Sequence, residues 1–115
     1  MIKQKQNFKY VLFLFLFLCS VKGFAANYYW VGGSGNWSEL IHWRTSSGGS
    51  GIPLVVPGQT DDVFFDGNSG FTATSKTVTV NVPAKMRNIT FSGSSVPPVL
   101  NSASIYNILD IYGSS

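Results

Sequence analysis

Residues 77–82 read TVTVNV, with Val78, Val80 and Val82 on one side and Thr77, Thr79 and Asn81 on the other. A strict two-residue period predicts a β-strand with one buried face, and Pro83 closes it. Shorter segments carry the same signature. DDVFFD (61–66) predicts a strand closed by the turn GNSG, and ITF (89–91) and LDIY (109–112) predict two more. In the last of these, Leu109 and Ile111 are expected inward, with Asp110 and Tyr112 outward. Helical character is confined to one place. Asn36 with Glu39 three residues later has the form of a capping box, which predicts a single turn over 37–42 with Trp37, Leu40 and Ile41 on one face. TSSGGSGIPLVVPGQT (45–60) reads as a loop, with Pro57 and Gly58 at the centre of a type II turn. The expected fold class is all-β.

An internal repeat sharpens that expectation. ITFSGSS begins at Ile89 and LDIYGSS at Leu109, aligning Ile89 with Leu109 and Phe91 with Ile111 before a shared Gly-Ser-Ser. Twenty residues is about one coil of a parallel β-solenoid, in which each rung stacks on the one before. The expected organisation is an aromatic cap region over 26–76 leading into the first solenoid rungs over 77–115, and a small antiparallel β-sandwich is the alternative. Stacked repeats need about three or more units, and a last rung leaves a backbone edge that natural proteins cover. The expectation is therefore the beginning of a longer, truncated solenoid body.

The first 25 residues stand apart. Lys3, Lys5 and Lys9 precede an apolar run over 11–21 that is too short to span a bilayer as a helix, and small residues follow at Gly23 and Ala25. This order is that of a secretory signal peptide cleaved after Ala25. It implies recognition by secretion machinery, contact with a membrane only through the leader, and a secreted or cell-surface location. Removing the leader changes the charge. The formal +3 of the whole chain falls to −1, because Arg44, Lys76, Lys85 and Arg87 then face Glu39, Asp61, Asp62, Asp66 and Asp110. Nucleic-acid binding, which needs a clustered basic face, is excluded as a function class. The only cysteine, Cys19, leaves with the leader, so no disulfide can reinforce the mature chain.

Residues 28–43, YYWVGGSGNWSELIHW, hold all three tryptophans and the only histidine, in a chain with 11% charged residues. Tyr28, Trp30, Trp37 and Trp43 beside Asn36 have the composition of a polysaccharide-binding platform, since a sugar ring stacks its C–H face on an exposed aromatic ring. They equally suit a core. Each aromatic hides about 150–250 Å², which at about 25 cal/mol per Å² is several kcal/mol of transfer free energy. The core reading, a plug at one end of the solenoid, takes precedence over the platform. Asp61, Asp62, Asp66 and Asn68 are hard oxygen ligands for calcium, and equally the side chains that hydrogen-bond turn backbones. On one extended strand the Cα atoms of Asp62 and Asp66 stand roughly 13 Å apart, too far for the carboxylate pairs of glycosidases. With a single His42 and no mature cysteine there is no nucleophile–base constellation, so no enzymatic activity is expected.

The aromatic block, followed by a Ser/Gly loop, PGQTDDVFFD, TVTVNV and LDIYGS, resembles the N-terminal region of large secreted surface proteins of Bacteroidetes. Those proteins begin with a YWVGG-x-GNWSD-x-x-HW block and a P-x-x-x-DDV-x-FD block. The likeness spans about 28–112. It implies export, a β-solenoid-like start, an adhesin-like role and a repetitive body ending in a sorting domain for type IX secretion; it carries no settled catalytic residues. The 115 residues hold neither the long body nor the sorting domain. The expected function is a non-enzymatic, adhesin-like scaffold that displays Thr79, Asn81, Asp110 and Tyr112 to a polysaccharide or cell-surface ligand. The alternative is the non-catalytic start of a secreted polysaccharide-binding or polysaccharide-degrading enzyme.

Overall fold

The computed structural model describes residues 25–113, so the leader expected over 1–25 lies outside the described residues except for Ala25. Nine short strands are present: β1 (Asn27–Trp30), β2 (Gly35–Asn36), β3 (Trp43–Arg44), β4 (Asp62–Phe65), β5 (Thr77–Val80), β6 (Ala84–Met86), β7 (Asn88–Phe91), β8 (Val99–Ser102) and β9 (Leu109–Ile111). Among the described residues a single 3₁₀ turn at Leu40–His42 completes the regular structure, and these residues are all-β as expected. Among the described residues no helix is long and apolar enough to cross a membrane.

The strands lie in three open sheets, ordered β3-β1-β4-β7, β2-β5-β8 and β6-β9. Among the described residues five of the six strand pairings are parallel; β1 with β3 is antiparallel, as is the isolated bridge of Thr72 with Ser75. That overturns the antiparallel sandwich, whose adjacent strands would be joined by hairpins. From β4 onward the chain visits the three sheets in the same order twice, as β4, β5, β6 and then β7, β8, β9.

The alternation in the sequence is what places these strands. In β4, Val63 and Phe65 are buried while Asp62 and Phe64 are only partly so. In β5, Val78 and Val80 are buried between Thr77 and Thr79. Val82 is half-buried and lies beyond β5, which ends at Val80. The interior is one cluster, built around Trp30, Trp37, Trp43, Val63, Phe65 and Met86.

The register corrects the twenty-residue repeat. Val63 pairs with Ile89, twenty-six residues on; Val78 with Leu100, twenty-two; and Ala84 with Leu109, twenty-five. Ile89 and Leu109, which the repeat aligns, lie in different sheets. What ITFSGSS and LDIYGSS share is a corner, since Gly93 and Gly113 have φ of 72° and 74° after β7 and β9. The repeat that the register does use is VFFDG (63–67) over ITFSG (89–93). A Cβ on Gly67 would come within 3.0 Å of the Gly93 carbonyl oxygen, so the backbones of these two corners approach closely.

Two local expectations also change. Gly58 is not among the glycines with positive φ, so Pro57 and Gly58 do not form a type II turn. The bend runs two residues later. Asp61 N–H donates to Gly58 O at 3.0 Å, and the Asp61 carboxylate accepts from Gly58 N–H at 2.8 Å. The capping pair is half formed, with Glu39 Oε1 accepting from Asn36 N–H at 2.8 Å. The turn that follows covers only Leu40–His42 and leaves Ile41 64% exposed, because β3 begins at Trp43 and pulls the chain back into a sheet.

The register makes a direct prediction. Thr79 and Asn101 are paired neighbours, so Thr79→Cys with Asn101→Cys should form a disulfide within one chain. Thr90→Cys with Asp110→Cys, the pair that a twenty-residue period would juxtapose, should not. Non-reducing mass spectrometry after mild oxidation separates the two outcomes.

Candidate functional site

The aromatic block folds inward. Tyr28 and Trp30 are the alternate buried residues of β1, and Trp43 opens β3 beside Trp30 in the antiparallel register. Trp37 follows β2, and its N–H donates to Thr79 O at 2.8 Å, fixing it over β5. Trp30, Trp37 and Trp43 are fully buried and Tyr28 is 6% exposed. Their rings meet edge to face around Trp43, with centroids 5.0 Å from Trp30, 4.9 Å from Trp37 and 6.1 Å from Tyr28. Such T-shaped contacts put the positive edge of one ring on the negative face of another. Trp30 Nε1–H donates to Gly33 O at 2.7 Å and Trp43 Nε1–H to Trp37 O at 2.9 Å. The Trp37 indole N–H is buried without a partner, a local cost set against the packing of its ring. These four side chains form the interior of the first sheet turn, and among them no ring face is open for a sugar to stack on.

His42 completes the block from outside. Its ring lies flat on Trp30 at 4.6 Å with 4° between planes, and its Nδ1 is 2.6 Å from Val31 O. The glycine-rich turn exists to admit it. A Cβ on Gly35 would fall 2.0 Å from His42 Nε2, so residue 35 is glycine because the imidazole occupies that space.

The four candidate calcium ligands are divided between the two ends of β4. Asp61 accepts from Ala26 N–H at 3.0 Å and from Gly58 N–H at 2.8 Å. Asp62 receives a bidentate ion pair from Arg87, with Nε to Oδ1 at 2.9 Å, and a further bond from Asn88 Nδ2 at 3.1 Å. At the far end, Asp66 accepts from Ser47 Oγ at 2.6 Å and from Asn68 N–H at 2.9 Å, while Asn68 Nδ2 donates to Ser47 Oγ at 3.0 Å. Each carboxylate thus ties one segment of chain to the next. Among the described residues no three His, Cys, Asp or Glu side chains group to hold a metal ion.

The electrostatics follow from these contacts. Hydrogen bonding from Arg87 holds the Asp62 carboxyl below the usual carboxylate range, helped by Asn88 and opposed by partial burial. Burial raises the Tyr28 phenol, and the nearby Asp61 charge adds to the effect.

The exposed apolar side chains of the strands lie elsewhere. β7, β8 and β9 are each the last strand of their sheet. Their inward side chains are uncovered: Phe91 is 52% and Ile111 51% exposed, where Phe65 and Met86 beneath them are 1% and 0% exposed. Phe71, Phe65 and Phe91 form a ladder, with centroids 6.0 and 5.3 Å apart and the upper pair nearly parallel at 12°. Beside its top ring opens a cleft of about 370 Å³ lined by Phe65, Phe91, Gly93, Ser94, Pro97 and Pro98. None of the cleft residues was a candidate in the sequence. The signal that marks them is the shared apolar-x-Phe-x-Gly of 63–67 and 89–93, which the more conspicuous Gly-Ser-Ser repeat obscures.

Comparison with protein-family models, with curated proteins and with solved structures finds no match for the chain.

Two outcomes follow. Trp43→Ala should cost about 3–5 kcal/mol, the range for truncating a buried large aromatic, and chemical denaturation should show it as a lost or sharply earlier transition. The Asp62 ion pair should make stability fall with acid. A carboxyl whose folded pKa lies below its unfolded value contributes fully above the unfolded value near 3.9 and loses that contribution as pH falls through the lower folded value. The thermal midpoint should therefore drop as pH falls below about 4, and the drop should be shallower in Arg87→Gln.

Proposed function

We propose that this chain is an exported, non-enzymatic surface-protein unit, forming the aromatic cap and first coils of a parallel β-solenoid with an adhesive or scaffolding role. The observation that carries this reading is the parallel stacking of β4 on β1, β5 on β2 and then β7, β8 and β9 on β4, β5 and β6. Winding through three sheets in constant order is how a solenoid accumulates coils. β3 pairs with β1 in antiparallel register beside the buried tryptophans, as a cap would.

The leader over 1–25 supports export. Presentation is the mechanism, because a rigid stack displays outward side chains such as Thr79, Asn81, Asp110 and Tyr112 in fixed rows. Polar rungs hold those rows together: Ser38 N–H donates to Asn81 Oδ1 at 3.1 Å, and Asn81 Nδ2 donates back to Ser38 Oγ at 2.7 Å.

Expression with the leader intact in a bacterial host tests both parts. The expected product is exported, begins at Ala26 by N-terminal sequencing, and on beads retains cells or insoluble polysaccharide without releasing reducing sugar. Uncleaved chain confined to the cytoplasm would remove export from the reading. Sugar release would replace the scaffold with a hydrolase.

A further inference from the structure

We infer that the Asp61 carboxylate is a receptor for the amino terminus created when the leader is removed: cleavage after Ala25 turns the Ala26 nitrogen into an ammonium that pairs with Asp61 and fastens β1 to β4. The inference rests on the export reading above and adds to it a role for Asp61 in the mature chain.

Ala26 is held at both of its backbone groups. Its nitrogen donates to Asp61 Oδ1 at 3.0 Å, and its carbonyl accepts from Asp62 N–H at 2.9 Å. β1 starts one residue later, with Asn27 paired to Asp62 in parallel register. The carboxylate is fixed as well, because Gly58 N–H donates to its second oxygen at 2.8 Å. The first residue after the expected cleavage point is therefore already seated. Ala25 and Ala26 are both exposed, so removing what precedes Ala26 takes no packing from the core.

Charge favours the pairing. The titratable groups that act on one another at this end of β4 are Tyr28 from β1, Asp61 and Asp62, and Arg87 from the neighbouring level. Arg87 forks onto Asp62, and among the described residues it forms no ion pair with Asp61. Two adjacent carboxylates thus share one guanidinium. In the uncut chain Ala26 offers Asp61 only an amide N–H. Hydrolysis of the Ala25–Ala26 bond by a leader peptidase consumes one water. It leaves a carboxylate on Ala25, which departs with the leader, and an ammonium on Ala26. The neutral donor becomes a charged one, and charge-assisted bonds are the stronger kind. Neighbouring cuts lose the effect. A start at Asn27 deletes the carbonyl that accepts from Asp62, and a start at Ala25 displaces the ammonium by about 3.8 Å of chain.

The test uses the exported chain, sequenced from its amino terminus and labelled with carbon-13. The Ala26 methyl shift is followed through the titration of its amine, folded and in denaturant. The folded amine should hold its proton roughly two- to fivefold more tightly than the unfolded one, the range of exposed ion pairs. Asp61→Asn should abolish the difference, and Asp66→Asn, at the far end of β4, should keep it. A chain produced to begin at Ala25 leaves Asp61 intact, and its amine should titrate as it does in denaturant. A raised folded value contributes stability below the unfolded value near 8 and loses it as pH rises through the folded one. The thermal midpoint of the Ala26 chain should therefore fall between about pH 7 and 9 by more than that of the Ala25 chain. Identical titration folded and unfolded, a difference that survives Asp61→Asn, or an equal difference in the Ala25 chain would overturn the inference and leave export standing. An exported product that begins elsewhere than Ala26 would overturn the cleavage point and the inference together.

Discussion

The edge-to-face packing of Trp30, Trp37 and Tyr28 around Trp43 is the interaction on which the rest of this structure depends. No cysteine lies among the described residues, and charged residues are few. A chain of this size buries little surface in total, so the large rings must do most of the work of excluding water. Trp43 touches Tyr28, Trp30, Trp37 and Phe65 at once. Those residues come from β1, β4 and the segment after β2, so one ring cluster holds the beginnings of two sheets together. The short strands could not do this alone. Two of them, β2 and β3, are only two residues long, and their pairing follows from the packing of the residues beside them.

Above that cluster the structure is organised by register. Several parallel steps put an apolar residue over an apolar one, Val63 with Ile89, Phe65 with Phe91 and Val78 with Leu100, and polar side chains stitch adjacent levels at the corners. Asp62 reaches Arg87 and Asn88 across one step, while Ser34 Oγ accepts from Thr77 N–H at 3.0 Å across another. The acids that look like a metal set along the sequence are distributed to these seams. Backbone amides and Arg87 already engage their oxygens, and the same bonds that satisfy them keep neighbouring levels in alignment.

Closure at one end and exposure at the other give the molecule its polarity. β3 pairs with β1 beside the buried tryptophans, whereas β7, β8 and β9 carry half-exposed apolar side chains and are the outer strands of their sheets among the described residues. The proposed scaffold role draws on this asymmetry.

Along the chain, local alternation alone determined a good deal: the all-β class, the inward valines of β5, the inward Val63 and Phe65 of β4 and the turn after them. A period of two residues needs no distant partner to be read. β6 and β8 escaped because AKM and VLNS are too short or too mixed to show alternation, and only pairing with β9 and β5 makes them strands. The tertiary structure alone decided the rest. Whether Trp30, Trp37 and Trp43 face water or the interior depends on β4 and β5 closing over them from about twenty to fifty residues away. Which Gly-Ser corner stacks on which depends on loops of unequal length. The twenty-residue echo was therefore a likeness of corners, while the true steps, from twenty-two to forty-three residues, are set by where the next level meets the one below.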